Sequence, residues 1–247
     1  LYTDIGKIAL DYLVEARGYA IENLKQTEWI YFPKDKEIRD YLLKMQPEAK
    51  EQITALGLQG TGGDRFRLAF PYRNRDGLIT GFVKRATEPN GITIDDKENV
   101  RYCSTKGLTK DDLFNLYNCR DSKELLIVEG YPDALYLPTL GFNNMVAIGQ
   151  GALGVKHVDG LKALGIEKVT ICLDNDNAGI ENTPKAVEKF NDRGIQVYII
   201  DPSLMGAHKD PDEFVKANGI DAFMKLYEGA ELQIEKEAET KSKEKKK

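Results

Sequence analysis

Acidic residues stand at three places in the sequence where an apolar run stops. Glu129 follows "LLIV" in "KELLIVEGYPDAL" (123–135), Asp174 and Asp176 follow "KVTICL" in "LDNDNAG", and Asp210 and Asp212 lie in "HKDPDEF" after "QVYII". A carboxylate at the end of a buried strand is costly unless a cation or hydrogen-bond donors compensate it. Five of them brought together repel one another, and only protonation or bound cations offset that repulsion. A ligand set of oxygen alone, with no His or Cys, suits hard divalent ions such as Mg²⁺ or Mn²⁺. The plainer reading is capping: an Asp just after a strand commonly caps the next helix, and Asp212 stands before a helix beginning near Glu213. Three such segments in order, each at a strand end, exceed what capping explains, so a carboxylate metal site is expected.

The elements that must position these residues follow from periodicity. From 124 onward, strand and helix patterns alternate: strands at 124–128, 144–148, 167–173 and 195–200, and helices at 131–140, 156–164, 177–192 and 210–217. Nearly continuous apolar strands separated by helices predict an α/β fold, a parallel sheet covered by helices on both faces. Ligands of such sheets bind beyond the carboxyl ends of the strands, where all three acidic segments fall. Upstream, helical spacing appears at 4–17, with Gly18 as a stop, and at roughly 19–27, 34–45 and 47–56. The glycine-rich "GLQGTGG" (57–63) is a candidate boundary. The period then becomes two: "RFRLAFPYR", turn "NRDG" and "LITGFVKRA" read as a hairpin carrying Arg65, Arg67, Arg73, Arg75, Lys84 and Arg85. Alternation sets Arg65 and Arg67 on one face and Phe66 and Leu68 on the other, so a basic face is expected. Residues 87–99 are expected to be mobile.

The chain has 247 residues, 41% apolar and 30% charged, with a formal net charge of -5, which suits a soluble protein and argues against bulk attraction to nucleic acid. The distribution differs: residues 58–123 carry 12 Lys/Arg against 9 Asp/Glu, and residues 124–228 carry 9 against 16. Cys103, Cys119 and Cys172 are widely spaced, with no CxxC, and neither His157 nor His208 pairs with them in sequence, so a zinc site is not expected. No GxxxxGK[ST] is present. No apolar run approaches the roughly 20 residues of a membrane span, and no signal-peptide pattern opens the chain, so a cytoplasmic location is expected. The opening on Leu1 and the charged ending "ETKSKEKKK" suggest a piece of a longer protein whose last stretch does not order itself.

Several segments together resemble a known family. "LLIVEGYPDALYLPTLGFNNMVAIGQGAL", "VTICLDNDNAGIENTPKAVEKF" and "HKDPDEFV" resemble the Toprim fold of bacterial-type (DnaG-like) DNA primases. "RFRLAFPYRNRDGLITGFVKR", "VRYCSTKG" and "DLFNLYN" are similar to the basic subdomain that precedes Toprim in those primases, and "YLVEARGYAIENL" resembles the helical segment opening their polymerase core. The match spans roughly residues 8–218. Toprim alone is shared with topoisomerases, nucleases and recombination mediators; the upstream half points to primase. Three segments are implied: a basic α+β subdomain at 1–123 for template and nucleotide binding, a Toprim-type parallel sheet covered by helices at 124–228 for catalysis, and a charged tail at 229–247.

The resemblance implies that Glu129 is central to catalysis, with Asp174 and Asp176, and that Glu129, Asp174, Asp176, Asp210 and Asp212 hold divalent metals. It implies DNA or nucleotide contacts for Arg17, Arg67, Arg73, Arg85 and Arg101, with Lys106 and Lys110 as the two candidates for a further basic contact; Lys84 of the same hairpin is read as another phosphate contact, and Tyr102 either packs, the commoner role of such an aromatic, or stacks on a base. Two departures stand out: the usual DGD reads "DND" with Asn175 in the middle, and in "RYCSTKG" Arg101 and Ser104 stand where the family has lysine and asparagine. The implied activity is synthesis of short RNA primers on single-stranded DNA from ribonucleoside triphosphates, with Mg²⁺ or Mn²⁺ and with a replicative helicase as a partner through regions outside this chain. The alternatives are a Toprim nuclease and a catalytically silent DNA-binding module. A topoisomerase needs a placed tyrosine that none of the 12 tyrosines offers.

Overall fold

The computed structural model of the chain describes residues 1–56, 66–87, 101–149 and 151–232. The boundary at 57–63, Arg65, most of the 87–99 stretch and the tail from 233 lie outside the described residues. The chain divides into two compact units, one of residues 1–73 with 78–109, the other of residues 74–77 with 110 onward.

The first unit begins with α1 (Lys7–Asp11), which runs into a π-helical turn over Tyr12–Ala16 closed by the Arg17 N–H donating to the Tyr12 carbonyl at 3.1 Å. Then come α2 (Ile21–Leu24), β1 (Ile30–Tyr31), α3 (Asp35–Met45) and α4 (Lys50–Ala55). Strands β2 (Leu68–Arg73), β3 (Ile79–Arg85) and β4 (Tyr102–Ser104) complete an antiparallel sheet in the order β1-β2-β3-β4, with Phe70 opposite Val83. The hairpin is present, and among the described residues its cations are largely covered. Leu68 to Tyr72 are buried without alternation, and Arg67, Lys84 and Arg85 are only 8%, 7% and 6% exposed. Alternation is lost because both faces of the hairpin are covered, and the cations tolerate burial through local partners described below.

In the second unit, β5 (Glu124–Val128), β6 (Met145–Ala147), β7 (Lys168–Cys172) and β8 (Gln196–Ile199) pair in parallel, and β9 (Glu231–Leu232) adds an antiparallel edge, giving the order β6-β5-β7-β8-β9. The helices are α5 (Leu116–Cys119), α6 (Tyr131–Tyr136), α7 (Val155–Ala163), α8 (Asn177–Asn191), α9 (Pro211–Asn218) and α10 (Ile220–Glu228). The core joins Leu125 and Ile127 of β5 to Val169 and Ile171 of β7, Val197 of β8 and Phe190 of α8, all at 2% exposure or less. Each such side chain contributes about 1.5–3 kcal/mol of apolar burial. Helix α10 was not anticipated from the alternation; Phe223 anchors it, fully buried against Phe142 and Phe214. The chain leaves β5 toward β6 on one side and continues from β7 to β8 on the other. The topology therefore reverses between β5 and β7, the place where parallel sheets open a crevice at their carboxyl edge.

All three cysteines have free thiols. Cys119 and Cys172 are buried, and burial pushes the Cys119 thiol up to about 11 and raises Cys172 further. A thiol reagent at pH 8 is expected to label Cys103 alone in the folded chain, and all three thiols in denaturant. Mass spectrometry of labelled peptides checks this. Among the described residues no helix is long and apolar enough to cross a membrane.

Candidate active site

The register of the parallel sheet decides which acidic residues meet. Val128 lies beside Cys172 at the ends of β5 and β7, so Glu129 and Asp174 emerge together at the carboxyl edge. The Asp174 backbone N–H donates to the Glu129 carboxylate. Glu129 Oε2 and Asp174 Oδ1 are buried, and neither has a hydrogen-bond partner. Burial first, then the charges of Asp174 and Asp176, raise the Glu129 carboxyl above its ordinary range. Burial raises Asp174 likewise, against the opposing pull of Lys209.

Two of the predicted ligands also cap helices. Asp176 is the N-cap of α8 and accepts from the Gly179 N–H at 3.0 Å, and that bond holds its carboxyl below the ordinary range. Asp210 caps α9 and accepts from Glu213 N–H at 2.8 Å. Asp212 is not the cap considered from sequence; it is buried in the first turn of α9 and pairs with Lys216 Nζ at 2.7 Å. The amino ends of α6, α8 and α9 thus lie among these acids, and their partial positive charge offsets part of the repulsion.

A sixth acid belongs to this neighbourhood, Asp133 on α6. Its carboxylate is buried and accepts from the Asp212 N–H at 2.8 Å. Burial, then Asp210, Asp212 and Asp174, raises its carboxyl well above the ordinary range. The proline and aspartate after Glu129 were visible in sequence, but helical phase alone does not tell that this aspartate points back at two distant segments. Asp133→Asn preserves the amide-accepting oxygen and removes one charge. In metal-free buffer it is expected to raise stability by about 1 kcal/mol, read as a higher Tm, while weakening divalent-cation binding.

The other residue that sequence reading missed is Lys209. Its ammonium stands 2.9 Å from Asp174 Oδ2 and 3.2 Å from Asp176 Oδ2. Among the described residues no three His, Cys, Asp or Glu side chains are grouped so as to hold an ion as they stand. The residues nevertheless fit a hard divalent cation. Two buried carboxylate oxygens lack donors, the donor set is all oxygen, and burial and mutual repulsion raise Glu129 and Asp133 as expected of carboxylates short of positive charge.

The basic residues singled out from sequence fall mostly in the first unit, and many already have protein partners. Arg73 pairs with Glu28 at 2.6 Å, and Lys84 with Asp35 at 3.3 Å over the Phe32 ring. The Arg85 guanidinium is wrapped by Tyr12, whose hydroxyl accepts from Nη2 at 2.8 Å, and by the hydroxyl and ring of Tyr102. Arg17 lies over Tyr19, on the turn of π-helix that also presents Tyr12. Arg67 is buried, while Arg101 and Lys106 are exposed. Lys110 belongs to the second unit, where its ammonium sits 5.5 Å from the Tyr131 ring centre, two residues beyond Glu129.

Residues 126–215 match the family described as Toprim-like. Over 230 residues, 89% of this chain, the sequence is 30% identical to a DNA primase of Thermotoga maritima. The chain is a relative of the bacterial DNA primases. The fold agrees with the sequence: a DnaG primase catalytic domain solved bound to single-stranded DNA superposes with a TM-score of 0.72 at 26% identity, over 94% of this chain and 74% of that one. A DNA primase domain from Pseudomonas aeruginosa gives 0.72 at 27% identity, over 95% and 76%. The primase resemblance read from sequence and the α/β fold class both hold. The chain spans 39% of the length of the Thermotoga relative.

Proposed function

We propose that this chain is the catalytic core of a DNA primase, joining ribonucleotides into short RNA primers on a single-stranded DNA template. The observation that carries this reading is the pair of buried, partnerless carboxylate oxygens on Glu129 and Asp174 at the edge where β5 and β7 end. Similarity to primases across both units, not the Toprim-like segment alone, favours polymerisation over cleavage.

Glu129, Asp174, Asp176, Asp210 and Asp212, with Asp133 behind them, are the groups that would hold Mg²⁺ or Mn²⁺. Such ions, when bound, lower the pKa of an attacking 3′-hydroxyl and neutralise a triphosphate. Glu129 serves as a ligand or takes the hydroxyl proton, a role that suits a carboxylate whose proton affinity is raised. Asp176 and Asp210, fixed by their caps, hold their oxygens still on the first turns of α8 and α9. Arg17, Arg67, Arg73, Lys84, Arg85, Arg101, Lys106 and Lys110 contact phosphates of template or nucleotide, and Tyr102 stacks on a base; Arg73 and Lys84 do so by trading Glu28 and Asp35 for phosphate. We assign residues 1–123 to template and nucleotide binding and 124–228 to catalysis, with a replicative helicase engaged through regions outside this chain, in the cytoplasm.

The test is synthesis itself. Purified chain with single-stranded DNA, the four NTPs and Mn²⁺ or Mg²⁺ is expected to yield short RNA on a denaturing gel. Cleavage of the DNA without NTPs, and no RNA with them, would replace this reading by a nuclease.

A further inference from the structure

Two ammonium groups already stand among these acids: Lys216 pairs with Asp212, whereas Lys209 spans two carboxylates. Lys209 Nζ bridges Asp174 Oδ2 and Asp176 Oδ2, at 2.9 and 3.2 Å, taking one oxygen from each carboxylate of the "DND" segment. The lysine does not arrive by chance of rotamer alone. The Asn175 N–H donates to the Lys209 carbonyl at 2.6 Å, and the Asn175 side-chain amide donates to the carbonyls of Gly206, at 3.0 Å, and His208, at 3.4 Å. Lys209 N–H in turn donates to Glu213 Oε2 at 2.9 Å. The loop carrying the ammonium is thus stitched to the acidic turn by the middle residue of that turn. This is the position where the resemblance leads one to expect glycine. A glycine there retains the backbone bond and loses both side-chain bonds.

We propose that Lys209 is an internal counter-cation, a positioning residue held across Asp174 and Asp176 by Asn175, and that Lys209 and a divalent ion are alternative occupants of this aspartate pair. The inference rests on the metal-binding reading given above. Two cations sharing the same two carboxylates repel each other strongly, so entry of one requires withdrawal of the other. Withdrawal is easy: the lysine side chain is 47% exposed and carries its charge on a flexible four-carbon stem that reaches water. The consequence is a site that stays assembled without metal and binds metal more weakly than its acidic residues alone would. The two partnerless oxygens, Glu129 Oε2 and Asp174 Oδ1, take no hydrogen bond from the lysine and remain to receive the ion first.

Calorimetric titration of Mn²⁺ into the whole chain tests this without any activity measurement. Lys209→Met is expected to bind Mn²⁺ roughly tenfold tighter or more, the scale on which one close opposite charge acts on a carboxylate. Its Tm in metal-free buffer is expected to fall and to recover with Mn²⁺. Lys185→Met removes the same charge from α8 and is expected to gain much less. Equal or weaker affinity in Lys209→Met, or an equal gain in Lys185→Met, overturns the proposal. If Lys209→Met does not fold without metal, Asn175→Ala keeps the lysine and loosens its loop; its affinity is expected to rise, and no change overturns the proposal. Asp174→Asn separates the two readings. Binding that vanishes in Asp174→Asn yet ignores Lys209→Met sinks the counter-cation alone, whereas no Mn²⁺ binding to any form sinks the metal site and the inference with it.

Discussion

Glu129→Gln is expected to cut RNA synthesis on single-stranded DNA by roughly 10²–10³-fold while leaving the fold intact. The amide has the size of the carboxylate and retains an oxygen to accept from the Asp174 N–H, so the end of β5 keeps its backbone contact. What disappears is the charge. In the native chain that charge sits half-buried beside Asp174 and Asp176, with one oxygen lacking any donor, an arrangement that destabilises the protein unless a cation meets it. The same reasoning fixes the sign on stability: with one of several repelling charges gone, the metal-free melting temperature is expected to hold or rise. Loss of synthesis with an unchanged or higher Tm therefore separates a chemical role from a structural one. Synthesis by Glu129→Gln at the native rate would rule out the assignment of Glu129, whatever the remaining acids do. Running the assay with Mn²⁺ and with Mg²⁺ also shows whether the residual activity depends on the ion.

The legibility of this site in the sequence has a physical pattern. Strand ends were readable because apolar runs stop where the sheet edge meets solvent, and Glu129, Asp174 and the 210–212 segment were found by that signal alone. Parallel pairing then made their convergence a matter of register, since Val128 and Cys172 must finish together for Glu129 and Asp174 to meet. Asp133 was not legible. It lies in the first turn of α6, where an acidic residue reads as a dipole partner, and only the packing of α6 beside α9 turns it toward Asp212. Lys209 was hidden for another reason: a lysine in a polar loop carries no periodicity, and its partners lie more than 30 positions away in sequence. The basic hairpin was legible as a hairpin, but the covering of its cations was not. Alternating Arg and Phe imply one wet face only if nothing covers that face, and burial of Arg85 depends on Tyr12 from a helix over 70 residues upstream. Helix α10 and strand β9 extend the fold past the point where the strand–helix alternation ended, because an edge strand of two residues leaves almost no pattern to read.

Gly179→Ala is expected to be the most disruptive small substitution in the second unit, costing about 3 kcal/mol through overpacking and disabling the site with it. Gly179 is the third residue of α8, and its N–H supplies the capping bond to Asp176. A Cβ there would stand 2.0 Å from the Asp174 carbonyl oxygen and 3.0 Å from the Asp174 carbonyl carbon and nitrogen. All three are backbone atoms with no rotamer to escape into, so either α8 or the acidic turn must move. Movement of the turn carries Asp174 and Asp176 out of register with Glu129, and a displacement near 1 Å in a reacting geometry costs on the order of 10²-fold in rate. The glycine in "DNDNAG" is therefore explained by the closeness of helix to turn; positive φ plays no part, since Gly179 is helical and absent from the left-handed positions. Urea denaturation is the check: the midpoint should fall at an unchanged m-value, and synthesis should stay depressed at denaturant-free conditions where the variant is folded. Gly154→Ala is the control, because its nearest neighbour is the His157 ring at 3.8 Å, and its cost is expected to stay within about 1 kcal/mol. A midpoint for Gly179→Ala equal to that of the control would mean that α8 does not press on the acidic turn, and the rigid carboxylate geometry on which primer synthesis is argued would lose its support.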